Sequence, residues 1–193
     1  MMNMLDEIDK KIISILIRDG RKTYKEIGDE IGYTIMGAKR RIQKMLSSGL
    51  IEISASLNVK KMNLHMALIL LEMENRDSIV KCLERFRECP RIISMFTLLS
   101  GYNLAALIIA ENMDTLESES MERCSLRCAE GVRRSEFYPI GSIYYHPYLK
   151  LRLNLFTRIR VKAPCGVDCS KCTRYMDEKC LGCPATKYYR GPL

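Results

Sequence analysis

Five cysteines near the C-terminus, Cys165, Cys169, Cys172, Cys180 and Cys183, follow the pattern C-x3-C-x2-C-x7-C-x2-C. Two cysteines separated by two residues form a short knuckle that aims two thiolates at one ion, and two such knuckles complete a four-thiolate shell. Zn2+ takes four thiolates, and Cys169, Cys172, Cys180 and Cys183 suffice for it, leaving Cys165 over. A 4Fe-4S cluster also takes four. Iron–sulfur would make the site a sensor of redox state, oxygen or iron; zinc would make it structural or an interaction module. The other reading is a reduced cysteine cluster without metal, but a tail with this few apolar residues, 162–193, could hardly fold alone without a staple. Nine cysteines in 193 residues, five of them clustered, argue in a reducing compartment for metal or redox chemistry rather than a disulfide framework.

A second constellation lies near the N-terminus. Residues 34–47 read as a helix with Thr34 as N-cap and Ile35, Ala38, Ile42, Met45 and Leu46 on its apolar face. Its polar face carries Lys39, Arg40, Arg41, Gln43 and Lys44 and no acidic residue. A face of this kind attracts DNA phosphates, and a helix of this size fits the major groove. Thr34, Met36, Gly37, Lys39 and Arg40, early in the helix, are placed to approach base edges, whereas Lys44 suits a phosphate contact. The plainer alternative is a small helical core with a solvated basic face.

The elements that would position this helix are legible around it. Ile8, Ile12, Ile15 and Leu16 form one apolar stripe, ended by Asp19-Gly20. Thr23-Tyr24-Lys25-Glu26 is a capping box that opens a short second helix, which ends at Gly32. Three helices punctuated by Gly20, Gly32 and Gly49 make a helix-turn-helix over residues 5–48. From Leu50 to Val59 the pattern alternates, which predicts a half-exposed strand serving as a wing or connector. Residues 64–140 read as strands 64–73, 92–99, 103–109 and 132–140, with helices 76–88 and 115–130, the ferredoxin-like split βαβ order. Ala67–Leu71 is apolar on both faces, which predicts a bare sheet face packed on a second subunit. Residues 141–161 suggest one or two further strands broken at Pro147.

The expected fold is therefore α+β: a (winged) helix-turn-helix at 1–50, a connector at 51–63, a βαββαβ ligand-binding and oligomerisation domain at 64–161, and a small Cys-rich metal-binding tail at 162–193. The formal charge of +8 is spread as +3 over residues 1–60, −1 over 61–150 and +6 over 151–193, so the basic excess sits at the two ends. In the tail it would also balance the negative charge of a tetrathiolate centre. Purely apolar runs such as Met66–Leu71 are far too short to span a bilayer. The N-terminus shows no secretory pattern, so the expected location is the cytoplasm.

Leu5-Asp6-Glu7-Ile8-Asp9, Asp19-Gly20-Arg21-Lys22, Ile27-Gly28, Ile31-Gly32-Tyr33-Thr34, Arg40-Arg41-Ile42 and Gly49-Leu50-Ile51 resemble the Lrp/AsnC family of transcription regulators. The turn at Ser100-Gly101-Tyr102-Asn103 and the run from Ala110 to Glu117 are similar to its effector domain, so the resemblance covers about three-quarters of the chain. It implies double-stranded DNA as partner, a homodimer or higher oligomer, and an amino acid or similar small molecule as effector. The turn between the middle strands, Ser100, Gly101, Tyr102 and Asn103, is the implied effector contact. Serine replaces the family's first glycine there, which puts the usual amino-acid mode in question. The C-x3-C-x2-C run resembles the cluster loop of radical-SAM enzymes, and Cys183-Pro184 the Cys-Pro ending of ferredoxin motifs. The run from Cys165 to Cys172 is also similar to small Cys-rich domains described as possible zinc binders.

Three functions compete. The first is a sequence-specific DNA-binding regulator modulated by the tail, not an enzyme. The second is an Lrp-like enzyme of the siroheme-decarboxylase type, which needs a positioned His/Arg set; this chain has two histidines and no tryptophan. The third is a redox adaptor that does not bind DNA. His65 and His146 read as structural. Cys82 and Cys89, seven apart, read as core residues of one helix face, and Cys124 and Cys128, at i, i+4, read as small buried hydrophobes rather than as the metal-binding pair that spacing also allows.

Overall fold

The computed structural model describes residues 5–152 and 158–193. They divide into two compact units, with the boundary after Ala55. None of the described helices is long and apolar enough to cross a membrane.

The first unit holds α1 (Glu7–Arg18), α2 (Tyr24–Ile31) and α3 (Ile35–Ser47). Each begins at a side-chain cap. Asp6 accepts from the Asp9 amide, Thr23 from Glu26 within a complete capping box, and Thr34 from Gly37. These caps satisfy amides that the first helical turn leaves without partners. Ile12, Ile15, Ile27, Ala38, Ile42 and Met45 form the core where the three stripes meet. Ile35, expected on the apolar face, is instead half exposed, because the first residue of α3 precedes the turn that meets the core.

The alternating stretch from Leu50 to Val59 is not one strand. Residues 51–56 have no ladder partner among the described residues, and only β1 (Leu57–Asn58) pairs, with β6 (Tyr148–Leu149).

The second unit is built on β2 (His65–Met73), α4 (Arg76–Phe86), β3 (Ile92–Thr97), β4 (Leu104–Ala110), α5 (Met113–Met121) and β5 (Val132–Ile140). The antiparallel sheet has the order β3-β4-β2-β5, the ferredoxin-like arrangement. Along β2, Ala67, Ile69, Leu71 and Met73 face the helices and pack with Phe86, Leu104, Ile108 and Leu116. On the other face, Met66 and Ile109 are covered by Val59 and Leu151. Leu68, Leu70 and Leu107 stay half-buried, with Phe96 and Tyr138 about half exposed. Part of the expected 141–161 strand region, residues 153–157, lies outside the described residues.

The second helix of this unit is shorter than its pattern predicts. It stops at Met121, and a 3-10 turn follows at Leu126–Cys128. Ser125 caps that turn by accepting from the Arg127 amide, so a local serine cap competes with continuation of the helix. Cys124 and Cys128 are therefore not neighbours on one helix face. Cys89 likewise lies past the end of α4, while Cys82 sits in the sheet–helix core.

In the first unit, Gly28 is the tight point. A Cβ there would stand 2.8 Å from the Tyr33 carbonyl oxygen, which the turn from α2 to α3 cannot easily move, since the Tyr33 amide bonds the Gly28 carbonyl. Gly28→Ala is expected to lower the stability of the first unit by about 1–3 kcal/mol, measured by urea unfolding.

Candidate nucleic-acid interface and cysteine cavity

On α3, Arg40, Gln43 and Lys44 are exposed and Lys39 is half-buried, while Ala38, Ile42 and Met45 face inward. Thr34 and Met36 stand exposed at its N-terminal end, beside the less open Gly37. The packing thus turns one side of the helix to its own core and leaves a cationic side and an apolar tip in water. A helix presented in this way can enter a major groove, its N-terminal half toward base edges and its later cationic residues toward phosphates.

Arg41 stands apart from this set. Its guanidinium donates to Asp6 at 2.6 Å and to Asp9 at 2.9 Å and lies over the Tyr33 ring. The Asp9 amide and Arg41 together hold the Asp6 carboxyl below its ordinary range. Arg41 therefore fastens α3 to the start of α1, and its charge is already compensated within the unit. Sequence periodicity placed it with Lys39 and Arg40; its partners, more than thirty residues away, were not visible there.

Residues 5–52 match the family of winged helix-turn-helix DNA-binding domains. The first unit is a winged helix-turn-helix. Relatives extend the likeness beyond this winged helix. The HTH-type transcriptional regulator Ptr1 of Methanocaldococcus jannaschii is 27% identical over 114 residues, covering 58% of this chain and 77% of its own. An HTH-type transcriptional regulator of Mycobacterium tuberculosis is 27% identical over 138 residues, covering 70% and 90%. These relatives are named as transcriptional regulators, not as enzymes. Escherichia coli AsnC shares the fold at TM-score 0.66 and 14% identity, covering 74% of this chain and 96% of its own. A Neisseria meningitidis transcriptional regulator, solved with L-Met, does so at 0.66 and 22%, covering 78% and 97%. The winged helix and the ferredoxin-like sheet thus follow one another as in those structures, and about a quarter of this chain is left without a counterpart in AsnC.

The turn between β3 and β4 has its polar groups largely committed. Asn103 acts as an extra strand residue for Met73, accepting from its amide and donating to its carbonyl, both at 2.8 Å. Ser100 donates to the Tyr102 carbonyl. The Tyr102 hydroxyl donates to Glu136, which also receives Tyr138 and Arg134.

The tail packs on the second unit. The five tail cysteines, Cys165, Cys169, Cys172, Cys180 and Cys183, line one cavity with Arg91, Glu119 and Glu122. Cys89 and Cys124 line it too. All nine cysteines are free thiols. Burial raises the thiol pKa of Cys89, Cys124, Cys165, Cys169, Cys180 and Cys183, the last to about 12. Burial likewise lifts Glu119 to about 7, against the pull of Arg91. Among the described residues, no three His, Cys, Asp or Glu side chains are grouped so as to hold a metal ion. Cys82 and Cys128 lie outside the cavity, the first in the core and the second exposed.

Arg91 ties the tail in place. It is 2% exposed, pairs with Glu111 at 2.6 Å and donates to the Gly182 carbonyl at 2.9 Å. Glu111 also accepts from the Tyr189 hydroxyl at 2.6 Å. On α5, Thr115 accepts from the Leu181 amide and Ser118 donates to the Lys179 carbonyl.

The two arginines of α3 are expected to separate by readout. Arg41→Ala lowers the stability of the winged helix by about 1 kcal/mol, while Arg40→Ala leaves it unchanged, as followed by urea unfolding. Equal losses would remove the distinction drawn between them.

Proposed function

We propose that this chain is a sequence-specific, DNA-binding transcription regulator of Lrp/AsnC type, acting on double-stranded DNA as a homodimer or higher oligomer. The observation that carries this reading is the exposed, acid-free face of α3 on a winged helix-turn-helix. The relatives' names support a regulator over a decarboxylase or a redox adaptor. Thr34, Met36, Gly37, Lys39 and Arg40 would meet base edges, with Gln43 and Lys44 nearer the backbone. Arg41 would serve by holding the helix in place.

Dimerisation would use the open half of the sheet. Leu68 lies opposite Leu107 on one side and Tyr138 on the other, and Leu70 opposite Ala105, which is itself opposite Phe96. These side chains share one face, and burying it against a second copy would remove the largest apolar area the strands leave in water. A small-molecule effector would meet the β3–β4 turn through Ser100, Gly101 and Tyr102, since the Asn103 amide is committed to Met73. The tail cysteines would hold a thiolate-bound centre, Zn2+ or a 4Fe-4S cluster, that modulates the regulator. What supports that reading is their spacing and their convergence on one cavity.

Lys39→Ala and Arg40→Ala are each expected to weaken DNA binding and to reduce the slope of log K against log salt by about 1, measured on operator fragments over a salt series. An unchanged slope in both would remove α3 from the DNA surface.

Leu70→Glu is expected to shift the protein to monomer by sedimentation equilibrium, because a carboxylate would then face an apolar partner surface. A dimer that persists unchanged would place the interface elsewhere.

A further inference from the structure

We propose that Cys89 and Cys124 are ligands of the thiolate-bound metal, so that the centre is held jointly by the tail and by the helix ends of the ferredoxin-like unit. This rests on the reading of the tail as a metal site and goes beyond it by naming ligands outside the tail. The carrying observation is positional. Three separate stretches of chain deliver seven cysteines to one cavity: Cys89 from the segment between α4 and β3, Cys124 from the segment between α5 and the 3-10 turn, and the remaining five from the tail. The two cysteines of the same unit that avoid the cavity, Cys82 and Cys128, show that this convergence is selective.

The tail does not reach the cavity loosely. The backbone beside its cysteines is bonded to the ferredoxin-like unit at several points. Arg85 donates to the Cys165 carbonyl, the Leu181 amide next to Cys180 donates to Thr115, and Arg91 donates to Gly182, next to Cys183. Cys89 precedes Arg91 by two residues, so the arginine that grips the tail also fixes the chain that carries a body cysteine. Thiolates are strong ligands for zinc and iron and poor occupants of an apolar cavity without a cation.

A second observation points to a ligand. Arg91 lines the cavity at 2% exposure, and its Nε has no hydrogen-bond partner among the described residues. Buried donors are rarely left unpaired. A tetrathiolate zinc or iron–sulfur centre carries net negative charge, and a guanidinium N–H beside it would supply both charge and a hydrogen bond to sulfur. Glu111 and Glu119 already face the same guanidinium from β4 and α5, so the centre would join an existing charge network.

The test uses the full-length protein, purified anaerobically, with metal and sulfide content measured on the wild type and on Cys89→Ser, Cys124→Ser and Cys128→Ser. Apoprotein refilled with Co2+ provides a spectroscopic count of thiolates through the sulfur-to-cobalt charge-transfer band. Cys89→Ser and Cys124→Ser are expected to weaken metal retention at least tenfold in chelator competition and to lower the charge-transfer intensity, with Cys128→Ser matching the wild type. Circular dichroism identifies a variant that has lost its fold, and the other single substitution then decides. Wild-type retention and band intensity in both Cys89→Ser and Cys124→Ser would overturn the joint site while leaving a tail-only site standing. A wild type that binds neither zinc, iron nor Co2+ would overturn the metal reading altogether.

Discussion

Arg91 has its charge almost out of water at the start of β3, against the Glu111 carboxylate, with Glu119 nearby and a tail carbonyl accepting from it. Burying such a cation costs several kcal/mol unless charges and hydrogen bonds compensate it, and a buried pair adds less net stability than its short distances suggest. What it does supply is geometry. Every partner must be in place for the cost to be met, so the pair admits one arrangement of β3, β4, α5 and tail. The cavity exists because that arrangement leaves the cysteine-bearing segments facing one another around a guanidinium.

The winged helix obeys a different economy. Its three caps and its core are local, and α3 is aimed by packing on α1 and α2 rather than by burying charge. The single exception is Arg41, whose two carboxylate partners sit at the start of α1. Holding one arginine of the basic run leaves the other two cations turned toward solvent, so three adjacent cations divide into one fastened within the unit and two that are not. The sheet shows the same division of labour: one face is closed by helices, half of the other by residues 57–64 and 140–151, and the rest stays open.

Much of this was legible in the sequence because it is written in short-range chemistry. Thr23 with Glu26, Thr34, and the glycines at 32 and 49 announce the helix limits, and the helix stripes follow from periodicity. The order of the ferredoxin-like strands also came through, since the two central strands are distinct apolar runs. The failures are mostly of long range. A strand at 50–59 was expected from alternation, but a strand needs a partner and only Leu57–Asn58 has one. The break after Met121 depends on a serine cap that competes with good helical residues. Cys89 and Cys124 carry no spacing that links them to the tail; only the folded chain puts them beside it. The available hints were the excess of cysteines over any four-ligand set and the i, i+4 spacing of Cys124 and Cys128, which pairs Cys124 with a cysteine that lies outside the cavity.

The bond from Arg91 to Gly182 spans 91 residues of chain, whereas its pairing with Glu111 spans 20. Contacts close in sequence form first, because the entropy of closing a long loop must be met before a distant contact rewards it. Synthesis reinforces that order, since the C-terminus emerges last. The sheet and its first ion pair can therefore assemble before the tail exists. During that interval the guanidinium lacks its tail carbonyl. The tail thus arrives last at a half-built shell, and any shortening of the chain before Gly182 would leave a mature sheet with a charge stranded at its edge.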